Sequence, residues 1–396
     1  MTTAALPQAR RAGANESVLT EPLWPLYAVL FASLCVVSGL IWDISWHRTI
    51  GRDTFWSPPH VLEQVAAVVA GLSCGWNVLR TTFAGSPAEK ARCVRFWGFH
   101  GPLGGWVCIW GTLMMIASAP FDNWWHNAYG LDVRIISPPH MVLAWGMLSI
   151  QIGAMLTALA RQNRGSSAES TRLNYLYVAS AAILLTMHAT VLMEEAAFAN
   201  EMHAARFYVV TSIFFPLALT AFARPSRLRW PATSAALIYL AIDLVAMWAL
   251  QLTPAEARLA PIFNPVTHMV PHPFPLLLFA PALAIDVWLR RFRGSDWLLA
   301  PLIGLSYVLL LLTVQWFFAE FLLSPAARNI VFGADKWDYN IRPGPWVHQY
   351  WQLDLDENSL WSPLLFLRGI GLAILVATVS ARFGLLVGRG LSRVQR

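Results

Sequence analysis

Stretches of about 18–25 apolar residues recur along the whole of this 396-residue chain, and they restrict its fold more than any other feature. Their approximate limits are 24–47, 58–80, 97–119, 137–160, 173–196, 206–223, 230–251, 273–290, 297–323 and 361–385, about ten spans in all. In hydrocarbon every backbone N–H and C=O needs an internal partner, so each stretch is expected to be helical. A content of 57% hydrophobic and 13% charged residues exceeds what a soluble domain of this size needs. The expected class is all-α: a polytopic integral membrane helical bundle of about ten transmembrane helices. No small-residue cleavage site follows the first span, so it reads as a retained helix rather than a signal peptide.

Charge sets the expected orientation. Arg10 and Arg11 precede the first span, and Lys90, Arg92 and Arg95 follow the second. Arg161, Arg164 and Arg172 follow the fourth, Arg224, Arg227 and Arg229 the sixth, and Arg290, Arg291 and Arg293 the eighth. Arg389, Arg393 and Arg396 close the chain. Basic clusters on every second connection are what the positive-inside rule demands. This pattern predicts a multi-pass protein of the cell inner (plasma) membrane with both termini cytoplasmic. The net charge of +6 then reflects attraction to the inner leaflet rather than to nucleic acid, and the lipid bilayer is the expected partner, with other membrane subunits possible. Cys35, Cys74 and Cys108 fall in spans and Cys93 in an inner loop, so neither a structural disulfide nor a Cys-x-x-Cys metal pair is expected.

Five segments follow: a cytoplasmic tail (1–23), a duplicated hairpin region (24–160), further transmembrane helices (161–323), an extracytoplasmic aromatic loop (324–360), and a last helix with a basic tail (361–396). The duplication is the second informative feature. Residues 43–60 carry Asp43, Trp46, His47, Gly51, Asp53 and Ser57-Pro58-Pro59-His60. Residues 122–140 carry Asp122, Trp125, His126, Gly130, Asp132 and Ser137-Pro138-Pro139-His140. Both copies point the same way, giving a tandem, parallel two-helix repeat over roughly 24–80 and 97–160.

Helical spacing explains what the repeat can do. Asp43 and His47 are four residues apart and share a helix face, as are Asp122 and His126. Gly51 suits the residue after a helix end, and Ser57, Pro58 and Pro59 suit the N-cap and first two positions of the next helix. A short turn between antiparallel helices then brings His60 level with His47, and His140 level with His126, with each Asp one turn deeper. Asp43, His47, His60, Asp122, His126 and His140 are therefore the candidate metal ligands. Each Asp can bind a metal directly or accept the imidazole N–H as an outer partner. Glu63 adds a carboxylate to the first copy, where the second has Leu143. Imidazole-rich sites suit a transition metal, with copper favoured here and zinc or iron also possible. The bland alternative is a hydrogen-bonded Asp–His pair closing each hairpin, duplicated along with it.

Other polar groups at membrane depth are few. His188 and Glu195 are seven apart on the fifth span beside Glu194, with Glu201 and His203 following; His188, Glu194 and Glu195 are the candidate proton-moving residues. Glu320 and Arg368 suggest an ion pair, Asp243 has no evident partner, and Gly101 with Gly105 forms a GxxxG pattern. Pro271 and Pro273 argue against a helix through His268 and His272.

The Asp-x3-His-x12-His spacing of Asp43, His47 and His60 resembles the metal motif carried by a membrane-embedded component of the copper membrane monooxygenases, the family that oxidises methane and ammonia. The second copy departs by one residue in its His–His gap. The resemblance implies a copper or related site near the extracytoplasmic side. The leading expectation is a redox enzyme or an oxidase- or monooxygenase-like subunit. Alternatives are a zinc-dependent membrane hydrolase, a metal or small-molecule transporter, and a noncatalytic assembly subunit. The chain offers no defensible Gly-rich nucleotide loop, Cys-x-x-Cys-His haem attachment or Ser–His–Asp nucleophile, although two His on facing helices leave haem ligation open.

Overall fold

The computed structural model describes residues 22–51, 56–130, 137–164, 167–195, 202–257, 266–335 and 363–396, with backbone only at 167–170, 195 and 363. The described chain is a helical bundle of α1 (Trp24–Thr49), α2 (Pro58–Ala84), α3 (Pro87–Ala91), α4 (Leu103–Tyr129), α5 (Pro138–Arg164), α6 (Ser167–Glu195), α7 (Ala205–Ala223), α8 (Pro231–Leu252), α9 (Phe279–Arg291), α10 (Asp296–Leu323) and α11 (Pro363–Leu391). Among the described residues nine of these are long and apolar enough to cross a membrane; α3 and α9 are too short. The aromatic loop expected over 324–360 lies outside the described residues from 336 onward.

Two departures from the expected spans have clear causes. The third was expected to begin at 97, but Val94–Phe96 (β1) and Phe99–Gly101 (β2) form an antiparallel hairpin there, so α4 starts at Leu103. Positive φ at both Trp97 (48°) and Gly98 (86°) gives the two-residue turn the twist such hairpins favour. The Thr82 hydroxyl accepts from the His100 N–H at 2.8 Å, fastening the hairpin to α2.

The second departure is larger. A continuous helix was expected over 273–290, but helix begins only at Phe279. Pro271, Pro273 and Pro275 each lack an N–H and restrict the residue before them, so the chain stays extended. Thirteen residues of α9 reach about 20 Å, short of a hydrocarbon core of about 30 Å. The extended segment supplies the remainder: it runs antiparallel to α8, with His268 bridged to Pro254, Leu276 N–H donating to the Tyr239 hydroxyl (2.9 Å), and Asp286 meeting Ala232 and Thr233.

Irregular backbone at this depth is tolerated only where protein groups satisfy it. Ser45 donates to the Val270 carbonyl at 2.6 Å, and Thr49 accepts from the Val270 N–H at 2.8 Å. Tyr239 serves Leu276, and Gln315 Oε1 accepts from Leu277 N–H at 3.1 Å. Four side chains from α1, α8 and α10 thus replace the missing helical bonds. Farther along, the buried Asp286 carboxylate accepts from the N–H groups of Ala232 and Thr233 (3.1 and 2.9 Å), capping α8 from a neighbouring helix.

Close approach in the second hairpin depends on glycine. A Cβ on Gly104 would lie 2.2 Å from the Gly153 carbonyl oxygen, and one on Gly111 would lie 2.7 Å from that of Gly146. This seam, not the Gly101–Gly105 pair, brings α4 against α5; Gly101 belongs to β2 and Gly105 faces Pro102. At the end of the bundle away from the α1–α2 turn, Asp296 joins three helices by accepting from Arg224 (2.6 Å) and pairing with Arg389 (3.0 Å). All four cysteines are free thiols.

Candidate functional site

The helix ends that flank the α1–α2 and α4–α5 connections are built alike. Gly51 follows α1 with φ of 96°, and Gly130 follows α4 with φ of 88°, a conformation that side chains with a Cβ disfavour. The Ile50 and Gly51 N–H groups both reach back to the Trp46 carbonyl, and the Gly130 N–H to that of His126. Ser57 occupies the N-cap of α2, followed by Pro58, Pro59 and His60 in its first turn. Pro138, Pro139 and His140 open α5 in the same way, and the Ser137 hydroxyl lies 3.5 Å from the His140 N–H.

This construction makes each Asp the shared neighbour of two imidazoles. Asp43 Oδ2 lies 3.6 Å from His47 Nε2, and its Oδ1 lies 3.3 Å from His60 Nε2. Asp122 Oδ1 lies 3.5 Å from His126 Nε2 and 3.6 Å from His140 Nε2. Each carboxylate takes both imidazoles from its own hairpin, and both clusters lie partly open to the surface. Asp43 Oδ1, Asp122 Oδ1 and His126 Nε2 are nevertheless shielded and make no hydrogen bond of ordinary geometry. Among the described residues, no set of three or more His, Cys, Asp and Glu stands ready to enclose a metal ion. What the fold assembles is two carboxylates, each flanked by two imidazole nitrogens.

Surroundings differ between the two hairpins. Glu63 is buried one turn beyond His60, with its side chain lying over Gly39, where a Cβ would come within 2.6 Å of Glu63 Cγ. The second hairpin instead carries an aromatic cluster of Phe121, Trp124, Trp125 and Tyr129, with Trp125 and Tyr129 centroids 4.5 Å apart.

The expected proton-moving residues divide. Glu194 is ion-paired with Arg48, the residue after His47, and lines a small cavity together with Asp243 and His272. His188 turns to its own helix: its Nδ1 is 2.7 Å from the Leu184 carbonyl, which only accepts, so Nδ1 carries the proton. The side chain of Glu195, and all of Glu201, lie outside the described residues. Arg48 was missed by sequence reasoning; its signal was an arginine directly after His47 at the end of an apolar span. Glu320 is directed at His203 (3.5 Å) rather than at Arg368. His203 is buried against Trp316, and burial holds its imidazole below the ordinary histidine range, opposed by Glu320. His268 and His272 are not a pair: His268 is half-buried beside Thr267, whereas His272 turns both ring nitrogens away from solvent. Comparisons with protein families, curated proteins and solved structures found no match for this chain.

Proposed function

We propose that the chain is an integral membrane metalloprotein. In this reading it binds a transition metal at each of two extracytoplasmic sites: Asp43, His47 and His60 on one hairpin, and Asp122, His126 and His140 on its tandem duplicate. The observation that carries the reading is the repeated Asp–imidazole geometry. Two ligands about 2.0–2.1 Å from a tetrahedral ion are separated by about 3.4 Å. The four carboxylate–imidazole separations run from 3.3 to 3.6 Å, and three of the atoms involved have no other ordinary hydrogen bond. Imidazole with carboxylate suits copper first, and iron or zinc after it.

A bound copper or iron would supply one-electron redox chemistry, which is why an oxidase- or monooxygenase-like role is the preferred activity. The protein's own contribution is positioning. The proline-opened helices fix His60 and His140, and the i, i+4 pairs fix His47 and His126 beside their carboxylates. The Arg48–Glu194 pair ties α1 to α6 one residue beyond His47. His188 keeps its proton on Nδ1 and leaves Nε2 as an acceptor within the bundle.

A second reading is favoured by the lack of a ready three-residue enclosure among the described residues. In it, each carboxylate clasps two imidazoles to close its hairpin. Metal analysis of purified and of copper-, iron- or zinc-reconstituted protein separates the two. The metalloprotein reading predicts bound metal that falls in steps in His47→Ala and then His47→Ala/His126→Ala. Absence of metal from both purified and reconstituted protein would leave the clasp. Zinc alone would redirect the activity toward hydrolysis.

A further inference from the structure

Between α1, α6, α8 and the broken span lies a small, mostly apolar cavity that carries a few polar groups. Its polar lining is Thr190 and Glu194 of α6, Tyr239 and Asp243 of α8, and His272, set among apolar side chains that include Ile44, Met193 and Phe274. Its volume is about 30 Å³, room for one water molecule.

Two groups in it are chemically unfinished. Both ring nitrogens of His272 are buried; one faces the Asp243 backbone carbonyl, and neither makes a hydrogen bond of ordinary geometry. Asp243 is 4% exposed; the Tyr239 hydroxyl is hydrogen-bonded to its carboxylate, while Oδ1 has no partner. An imidazole always presents at least one N–H, and a carboxylate always presents an acceptor, so leaving both unpaired in an apolar interior costs several kcal/mol. An isolated charge on either costs more. The neighbouring charges do not settle that imbalance, because Arg48 from α1 and Glu194 from α6 neutralise each other, and Tyr239 and Tyr307 contribute only phenols.

We propose that this chamber is an intramembrane proton-binding site, in which one exchangeable proton is shared between the Asp243 carboxylate and the His272 imidazole through a single bound water. The balance is simple. With the proton on His272 the pair is imidazolium and carboxylate. Its passage to the water, as the water gives a proton to Asp243 Oδ1, leaves neutral imidazole and carboxylic acid. Net charge is zero in both states, and the water gives a partner to Asp243 Oδ1 and to one His272 ring nitrogen, while the other faces the Asp243 backbone carbonyl. The broken span serves this arrangement: only extended backbone between Pro271 and Pro275 places His272 opposite the middle of α8. The site requires no metal and stands apart from the function proposed above.

The test is pH-difference infrared spectroscopy on the purified full-length protein in nanodiscs, in H2O and D2O. The proposal predicts a carboxylic-acid C=O band that shifts in D2O, is lost in Asp243→Asn, and titrates in His272→Gln with a midpoint displaced by about one pH unit or more. Asp243→Glu, which keeps the acid, should move the band without abolishing it, and serves if Asp243→Asn cannot be recovered. A band unaffected by both Asp243 substitutions overturns the proposal. So does a midpoint unchanged in His272→Gln, which would make Asp243 an independent buried acid.

Discussion

Thr49→Val tests whether side chains of α1 hold the broken span in place. Thr49 is 3% exposed; its hydroxyl donates to the Ser45 carbonyl (2.6 Å) and accepts from the Val270 N–H (2.8 Å). Valine keeps the shape and removes both bonds. The Ser45 carbonyl still has its helical partner, so the main loss is at Val270, whose N–H is left buried and unpaired. That costs about 1–3 kcal/mol, equivalent to about 5- to 150-fold in the local opening equilibrium. Ser45→Ala orphans only the Val270 carbonyl, which is better tolerated, and should cost less. Because both side chains serve one residue, the double variant should fall short of the sum. The assay is hydrogen–deuterium exchange over 266–278 in detergent. Thr313→Val is the control, since Thr313 makes the same bond to a preceding carbonyl (2.7 Å) on an exposed face of α10. Exchange at Val270 should rise in Thr49→Val while α8 keeps its protection. If Thr49→Val loosens the segment no more than Thr313→Val loosens its own surroundings, the account of the broken span is wrong.

Other expectations follow from the same packing. Gly153→Ala places a methyl 2.4 Å from Cys108 Sγ and 2.5 Å from the Gly104 carbonyl, so it should destabilise the second hairpin by about 1–3 kcal/mol, read as a lower thermal midpoint, while Gly75→Ala, facing open space, should not. Asp296→Asn weakens the junction of α7, α10 and α11 and should cost about 1.5–3 kcal/mol in the same assay. His203 carries the pH dependence of the contact with α10. Its folded-state affinity for protons is depressed, so the unfolded chain binds more protons below an ordinary histidine value of about 6.5. Stability is therefore full above that value and falls as pH drops through it, a dependence that His203→Gln should flatten in melts taken across the range. Asp122→Asn should remove the second metal equivalent and leave the first, as measured by elemental analysis.

Much of this architecture was legible because membrane helices announce themselves by length and apolarity. α1, α2 and α5 begin within a residue of where the apolar stretches do, and the Gly51 and Ser57-Pro58-Pro59 signals mark a helix end and a helix start. The broken span was half visible. Pro271 and Pro273 ruled out a helix around His272, yet the apolar run through Leu276–Leu278 still read as helical, because hydropathy does not distinguish buried extended backbone from helix. Asp243 had no partner in sequence, since His272 lies 29 residues away and meets it only when the segment folds back along α8. The Asp–His groupings were predicted by spacing alone, and each draws its imidazoles from the two helices of one hairpin. Arg48–Glu194 and His203–Glu320 were not predicted, because partners on different helices leave no local spacing to read. The glycine seam was misplaced for a related reason: Gly104, Gly111, Gly146 and Gly153 repeat every seven residues across two helices rather than every four on one.

The central claim, as proposed, is that the α1–α2 and α4–α5 hairpins are two metal sites. It is tested most directly by anomalous scattering from crystals of the full-length protein reconstituted with copper, with zinc and with iron. The account predicts two peaks: one within bonding distance of Asp43, His47 and His60, the other of Asp122, His126 and His140. No peak at either cluster with any of the three metals, or one peak bound away from both carboxylates, would contradict it.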